Sequence, residues 1–141
     1  MENKSHIIKD DQDAYYITCA VCGKKAVSFG AQLRIRSVFD EAFLSTVGKE
    51  SFLYQGITHS QRIPKHLLEE VVDKLEAHDL KALNSCLRKD FGFTEGIDAY
   101  CDQCNSIYCR DHYKTEIIFD EVFYDCTYAT CPLMHRRKID D

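Results

Sequence analysis

Cysteine and histidine residues in four closely spaced pairs are the part of this sequence whose types and spacing could do chemistry. In chain order the pairs are Cys19/Cys22, Cys101/Cys104, Cys109/His112 and Cys131/His135. Thiolate sulfur and imidazole nitrogen are the ligands that Zn²⁺ prefers, and a two-residue gap lets a tight turn direct both side chains at one tetrahedral ion. Because four ligands complete a tetrahedral site, the eight residues predict two zinc ions. Gly23 follows the first pair and can take the positive φ that such a turn usually needs.

Two cysteines lie outside these pairs. Cys126 is an alternative ligand, because a Cys126-x4-Cys131 pair would release His135. The turn from Cys131 to His135 is more similar to a zinc knuckle, so we favour it. Cys86 falls in an apolar stripe of a predicted helix, where a small core residue is expected.

The pairs can share two ions in two ways. In the sequential arrangement, the second and third pairs bind one ion, and the first and fourth bind the other. In the alternating arrangement, the first pair joins the third and the second joins the fourth. Only four residues separate the second pair from the third, which favours alternation. In this spacing the chain resembles the cross-brace zinc fingers of the RING, PHD and FYVE type. The resemblance implies a treble-clef-like finger whose pairs alternate between the ions.

The resemblance covers roughly the first 25 and the last 45 residues and consists of ligand spacing. Between the first and second pairs lie 78 residues, far more than such fingers carry there, and the last pair is Cys-x3-His. The chain also has no Trp, which PHD fingers place before their last pair, and the FYVE basic run is replaced by uncharged residues and Asp98. The functions of those families therefore do not transfer.

The fold class that we predict is α+β: one small zinc-stabilised domain spanning 1–141, with β-hairpins that carry both zinc sites. Residues 14–29 and 95–138 would form the finger, and 30–94 would form an inserted strand and helix segment. At 141 residues the chain can bury a sizeable core as one unit, and splitting it would separate metal pairs.

Hydrophobic periodicity and turn residues predict the individual elements. We expect strands at 14–18, 26–29, 33–36 and 51–57, helices at 38–47, from Pro64 past Leu75 and from an Asp79 cap to near Gly92, and a hairpin within 113–130. Residues 1–13 are polar and charged and are expected to fray. His59, His66 and His78 are expected to be solvated rather than to bind metal, since the four pairs already supply eight ligands.

Composition restricts the compartment and the partner. No run approaches the ~20 apolar residues of a membrane span, and the polar 1–13 segment does not resemble an export signal. We therefore expect a cytoplasmic protein with no membrane contact, whose cysteines are thiolate ligands rather than disulfides. The net charge of −5 favours a basic protein partner over nucleic acid. The strongest opposing signal is the basic run at 135–138.

Four protein ligands per ion leave no open position for a reactive water, so binding is expected rather than catalysis. The function that we predict is a non-catalytic zinc-binding protein acting through protein–protein interaction, as an acidic inhibitor or immunity-type protein or as an adaptor. One alternative is a RING-like ubiquitin-ligase-type module. The other is a treble-clef nucleic-acid-binding protein or HNH-like nuclease, because Asp111 and His112 sit beside a knuckle as the metal-binding and catalytic histidines of that family do.

Overall fold

A computed structural model of the protein describes residues 4–11, 13–30 and 52–141. Within these ranges the chain forms ten strands and two α-helices, and the strands make three antiparallel sheets. The predicted α+β class is confirmed. The strand predicted at 33–36 and the helix predicted at 38–47 lie outside the described residues. That the chain is a single domain stays a prediction.

The first sheet has five strands that neighbour one another in chain order. They are β1 (Ile7–Lys9), β2 (Tyr15–Thr18), β3 (Lys25–Gly30), β4 (Leu53–Gln55) and β5 (Ser60–Arg62). Strands β2 and β3 form the predicted hairpin, with Ile17 opposite Val27. The expectation that 1–13 would fray is wrong for β1, because Ile7 is buried and pairs with Ile17. Burial of the isoleucine side chain contributes favourable free energy that stabilises the strand against fraying.

Two α-helices follow β5, and both have the amphipathic spacing read from the sequence. Helix α1 (Lys65–Glu76) buries Leu67, Val71 and Leu75, and helix α2 (Leu80–Leu87) buries four residues on one face. As predicted, Asp79 caps α2, and its carboxylate accepts a hydrogen bond of 3.1 Å from the Ala82 N–H. None of the helices in the described ranges is long and apolar enough to span a membrane.

Helix α2 ends at Leu87, earlier than the predicted end near Gly92. The early end of α2 has a local cause. The side chain of Asp90 accepts a hydrogen bond of 3.0 Å from the Gly92 N–H and caps a separate 3₁₀ helix, Phe91–Phe93. Because a capping carboxylate begins a new helix, the apolar run is divided into two elements.

The ligand-rich C-terminal part contains the two remaining sheets. Strands β6 (Tyr100–Cys101) and β7 (Ser106–Ile107) pair with each other. Three further strands form a separate sheet in the order β10-β9-β8. Its strands are β8 (Lys114–Asp120), β9 (Phe123–Thr130) and β10 (Arg136–Asp140). The hairpin predicted within 113–130 is therefore confirmed as β8–β9. Strands β5 and β10 were not predicted.

A shared hydrophobic core joins the inserted segment to the ligand-bearing hairpins. One cluster of buried residues includes Ile17, Tyr54, Leu83, Tyr113 and Ile139, which come from both sides of the insertion. Four of the predicted ligand cysteines belong to the same cluster. The candidate metal ligands are thus anchored by apolar packing as well as by their own turns.

A buried carboxylate links the insertion to the finger. The side chain of Asp98 is fully buried and accepts hydrogen bonds from the Tyr54 hydroxyl and, at 2.7 Å each, from the N–H and Oγ1 of Thr58. His59 Nδ1 lies 3.4 Å from Asp98 Oδ2, so His59, which was expected to be solvated, is only partly exposed and contacts a buried carboxylate. Burial and the nearby carboxylate raise the pKa of Tyr54 well above its usual range. A Cβ on Gly56 would overlap the Asp98 carboxylate, which leaves room only for glycine.

The Asp79 cap generates a stability prediction. Replacing Asp79 by Ala removes the acceptor for the Ala82 N–H and should lower the free energy of unfolding by about 0.5–2 kcal/mol. Asp79→Asn keeps a side-chain acceptor and should leave stability close to that of the wild type. Denaturant unfolding of the metal-loaded protein measures both, and equal loss in the two variants would contradict the capping role.

Candidate metal centres

The structure gathers the first and third pairs into one group, called site 1. It contains Cys19, Cys22, Cys109 and His112, whose ligand atoms all lie within 4.8 Å of one another. The sulfurs of Cys22 and Cys109 are 3.7 Å apart, and His112 Nδ1 lies 3.2 Å from the Cys109 sulfur and 3.7 Å from that of Cys19. The ligands come from the β2–β3 turn and from the segment between β7 and β8.

The second and fourth pairs form the other group, called site 2. It contains Cys101, Cys104, Cys131 and His135, again within 4.8 Å of one another. The sulfurs of Cys104 and Cys131 are 3.7 Å apart, and His135 Nδ1 lies 3.2 Å, 3.4 Å and 3.6 Å from the sulfurs of Cys104, Cys131 and Cys101. Its ligands come from the β6–β7 hairpin and from the β9–β10 turn.

The separations in both groups fit a tetrahedral ion. Metal–sulfur bonds of ~2.3 Å and metal–nitrogen bonds of ~2.0–2.1 Å place tetrahedral sulfurs about 3.8 Å apart and a sulfur and a nitrogen about 3.6 Å apart. The sulfur–sulfur distances of 3.7 Å match this value and are far longer than a disulfide bond of about 2.05 Å. Each Cys₃His group could therefore hold one metal ion.

Membership of the two groups alternates along the chain. The first and third pairs meet in site 1, and the second and fourth meet in site 2. The sequential grouping is not found in the part of the chain that the structure describes. Cys126 and Cys86 belong to neither group. Cys126 is buried with its sulfur 3.6 Å from the Asp125 carboxylate, and Cys86 lies on the buried face of α2.

Local backbone geometry explains how short turns present these side chains. Gly23 and Asn105, each directly after the second cysteine of a Cys-x2-Cys pair, have φ values of 76° and 51°. Met134 has φ 70° directly before His135. A left-handed residue reverses the chain at the turn, and glycine and asparagine adopt this conformation most readily. The positive φ expected at Gly23 is confirmed.

Backbone donors and burial act in opposite directions on the thiols. Burial alone raises the pKa of Cys19, but backbone N–H groups of Cys22, Cys109 and Val21 outweigh it and lower the pKa to about 7. Burial raises the pKa of Cys109 to about 11. Likewise, burial raises the pKa of Cys101 to about 12. The Cys101 and Cys109 thiols would therefore be protonated at neutral pH, and binding of a metal ion to them would release protons.

Further contacts attach each site to the rest of the fold. The guanidinium of Arg110, within the third pair, donates a hydrogen bond of 2.7 Å to the Ile57 carbonyl of the insertion. The Ala20 N–H, in the first pair, donates to the Ile107 carbonyl at 2.9 Å, and Ser5 Oγ both donates to that carbonyl and accepts from the Ile107 N–H. The ligand turns are therefore held together by backbone contacts beside the thiols.

Sequence reasoning did not foresee the role of Arg137. Its guanidinium donates four hydrogen bonds to backbone carbonyls, of Tyr100 at 2.7 Å, Glu95 at 2.9 Å, Ile97 at 2.6 Å and Lys138 at 2.8 Å. Arginine suits this task because its five N–H groups form a planar, rigid fork. The only sequence signal was its place in the basic run beside the fourth pair, and that signal suggested a different role.

The metal content of the chain is the first prediction from this geometry. We expect two metal ions per chain by elemental analysis. Cys104→Ser should lose one ion and destabilise the fold, because metal binding to a structural site is coupled to folding. Cys86→Ser and Cys126→Ser should keep both ions, since neither sulfur belongs to a site. Equal metal content in all three variants would overturn the assignment of ligands.

Double substitutions test the grouping directly. Cys22→Ser/Cys109→Ser removes two ligands of site 1 and should leave one ion, whereas Cys104→Ser/Cys109→Ser damages both sites and should leave none. A sequential grouping gives the reverse result, with no ion in the first double variant and one in the second. Elemental analysis after gel filtration distinguishes the two arrangements, with Cys86→Ser/Cys126→Ser as the control pair.

Comparison with known proteins adds family membership. No curated protein matches the chain, and no solved structure matches it. A family model described as "Domain of unknown function (DUF8328)" matches residues 9–141 and so includes all eight ligands of the two sites. The chain therefore belongs to the family described as a domain of unknown function, DUF8328.

Proposed function

We propose that the protein is a zinc-stabilised, non-catalytic protein that acts by binding a basic protein partner. The observation that carries the proposal is the complete ligand set of each site, in which three cysteines and one histidine supply all four ligands that a tetrahedral ion needs. Structural zinc sites are closed in this way, whereas catalytic sites keep one position for water or substrate.

The donor chemistry supports zinc in both sites. Three thiolates and one imidazole form a soft, tetrahedral set, which is typical of structural zinc and unlike the oxygen ligands of magnesium or calcium. Half of the eight ligands are buried cysteines, so the ions would lie at the margin of the hydrophobic core. In this reading zinc contributes folding energy and takes no part in a reaction.

The basic run beside the fourth pair offers little to a phosphate backbone. The guanidinium of Arg136 bonds Glu116 at 2.8 Å and lies 4.0 Å from the Tyr128 ring centre. Arg137 donates four hydrogen bonds to backbone carbonyls, and Lys138 lies 3.4 Å from the Asp141 carboxylate. Binding to nucleic acid depends on cations that are free to neutralise phosphates, and the chain has a net charge of −5.

The position of His112 argues against a nuclease of the HNH type. Its Nδ1 lies among the sulfurs of site 1, where it completes the ligand set. A histidine that binds a structural ion with a full ligand set is not available as a general base.

The second candidate function is a RING-like ubiquitin-ligase-type module, and the observation that favours it is the alternation of the four pairs between two sites.

The partner is the testable part of the proposal. The zinc-loaded chain, used as bait in affinity purification with quantitative mass spectrometry, should enrich a protein with a basic surface. The purified complex should weaken as salt rises, because charge pairs between exposed groups are screened. Enrichment of ubiquitin-conjugating enzymes, with zinc-dependent discharge of ubiquitin, would instead favour the RING-like module.

Mobility-shift and nuclease assays test the competing functions. At physiological salt the chain should not shift single- or double-stranded DNA or RNA, and it should not cleave them with Mg²⁺ or Mn²⁺. Micromolar binding that Arg136→Ala/Arg137→Ala abolishes would contradict the proposal. Cleavage that disappears in a folded His112→Ala variant would do so as well.

A further inference from the structure

The outer half of the β8–β9 hairpin exposes an unusual amount of apolar surface. We call residues 117–125 the hairpin tip. Five large apolar side chains in it are between 46% and 83% exposed: Ile117, Phe119, Val122, Phe123 and Tyr124. They are half of the ten exposed large apolar side chains in the described ranges, although the tip has only nine residues. Scattered apolar residues are ordinary on a surface, but a contiguous group marks an interaction site.

Strand register places three of these side chains on one face. Phe119 pairs with Tyr124 across the hairpin, and residues directly opposite each other on antiparallel strands point to the same side. The register shifts by one residue between Ile118 and Phe119, but Ile117 pairs with Thr127, which meets the Tyr124 side chain, so Ile117 shares that face. The Tyr124 hydroxyl meets Thr127 Oγ1 at 2.8 Å, which orients the aromatic ring beside its neighbours. The face is therefore an ordered apolar strip rather than a set of unrelated side chains.

The hairpin tip is also acidic. It contains Asp120, Glu121 and Asp125, and no lysine or arginine occurs anywhere between Lys114 and Arg136. None of the three carboxylates forms an ion pair with a described residue, whereas Glu116, nearer the base of the hairpin, is paired with Arg136 at 2.8 Å. The tip thus carries three negative charges that the described parts of the chain leave uncompensated.

The third feature is an available strand edge. In the order β10-β9-β8, strand β8 has a hydrogen-bonded neighbour on one side only, as far as the described ranges extend. Such an edge presents backbone N–H and C=O groups that an added strand can use. Lysine and proline protect many edge strands from pairing, but the single lysine of β8 is Lys114 at its first position.

We propose that the hairpin tip and the β8 edge are the docking surface for an extended segment of a partner protein in which basic and apolar residues alternate. Apolar side chains of the segment would cover the Ile117, Phe119 and Tyr124 strip, and its cations would meet the unpaired carboxylates. A second copy of this chain fits poorly, because pairing two tips brings six like charges together. The inference rests on the proposed function and names the surface that performs it.

The test uses the zinc-loaded full-length chain and a fluorescein-labelled nine-residue peptide of alternating lysine and valine as the probe. Fluorescence anisotropy should show binding that weakens with salt, and no binding of the matched peptide with glutamate in place of lysine. Phe119→Ser/Tyr124→Ser should weaken binding about tenfold or more by removing apolar contact. Asp120→Asn/Glu121→Gln/Asp125→Asn should weaken it similarly and also flatten its salt dependence.

Matched controls separate the docking surface from general effects. Phe91→Ser removes a side chain that is 96% exposed, and Glu69→Gln/Asp73→Asn removes two exposed carboxylates of α1. Both should bind the probe like the wild type. All variants should retain two metal ions and unfold like the wild type, because the substituted side chains are exposed.

Three results would overturn the docking surface. These are equal probe binding by the wild type and both hairpin variants, no probe binding by the wild type, and a wild-type dimer in analytical ultracentrifugation that Phe119→Ser/Tyr124→Ser dissociates. The same variants used as bait separate this failure from that of the proposed function. A basic partner retained by both hairpin variants leaves the function intact and removes the surface, whereas no basic partner for the wild type removes the function itself.

Discussion

The tetrahedral geometry of two Cys₃His groups is the constraint on which the rest of the structure depends. Each group draws two ligands from each of two turns, and in site 1 the sulfurs that lie 3.7 Å apart belong to residues 87 positions apart in the chain. Closing so long a loop costs conformational entropy, and each bound ion would offset this cost by holding both turns. Because the pairs alternate, neither ion could be removed without releasing contacts between different hairpins.

The inserted segment supplies the apolar burial that hairpins of this size lack. Strands β6 and β7 have two residues each, too few to make a core of their own. Side chains of β4, α1 and α2 complete it, and the fully buried Asp98 carboxylate connects the insertion to the chain just before the second pair. The size of the insertion, which sets this chain apart from the cross-brace fingers that its spacing resembles, is therefore part of how the metal sites are supported.

Several charged side chains form hydrogen bonds or ion pairs within the fold, and this limits the surface that remains for binding a partner. Arg110 and Arg137 lie near metal ligands and donate hydrogen bonds to backbone carbonyls, so these cations stabilise the fold. Glu70, Glu76 and Glu116 are likewise held by lysine or arginine partners. Five of the ten exposed large apolar side chains in the described ranges, together with three carboxylates that form no ion pair there, lie instead in residues 117–125 of the β8–β9 hairpin, which holds none of the metal ligands. The candidate metal ligands flank the base of this hairpin, and the docking surface that we propose lies at its tip.

The sequence by itself determined the features that depend on near neighbours. Ligand pairs, the Gly23 turn, the Asp79 cap and the stripes of α1 and α2 follow from side-chain type and short spacing, because turn and helix geometry is local. The sequence favoured one grouping of the pairs, but the tertiary structure decided which pairs share a site, and it alone decided that β1 is ordered and that His59 and Arg137 are internal partners. Each of these depends on which distant segments meet in space, and two pairings of the same ligands have identical local chemistry. Packing of the hairpins around one core selects between them.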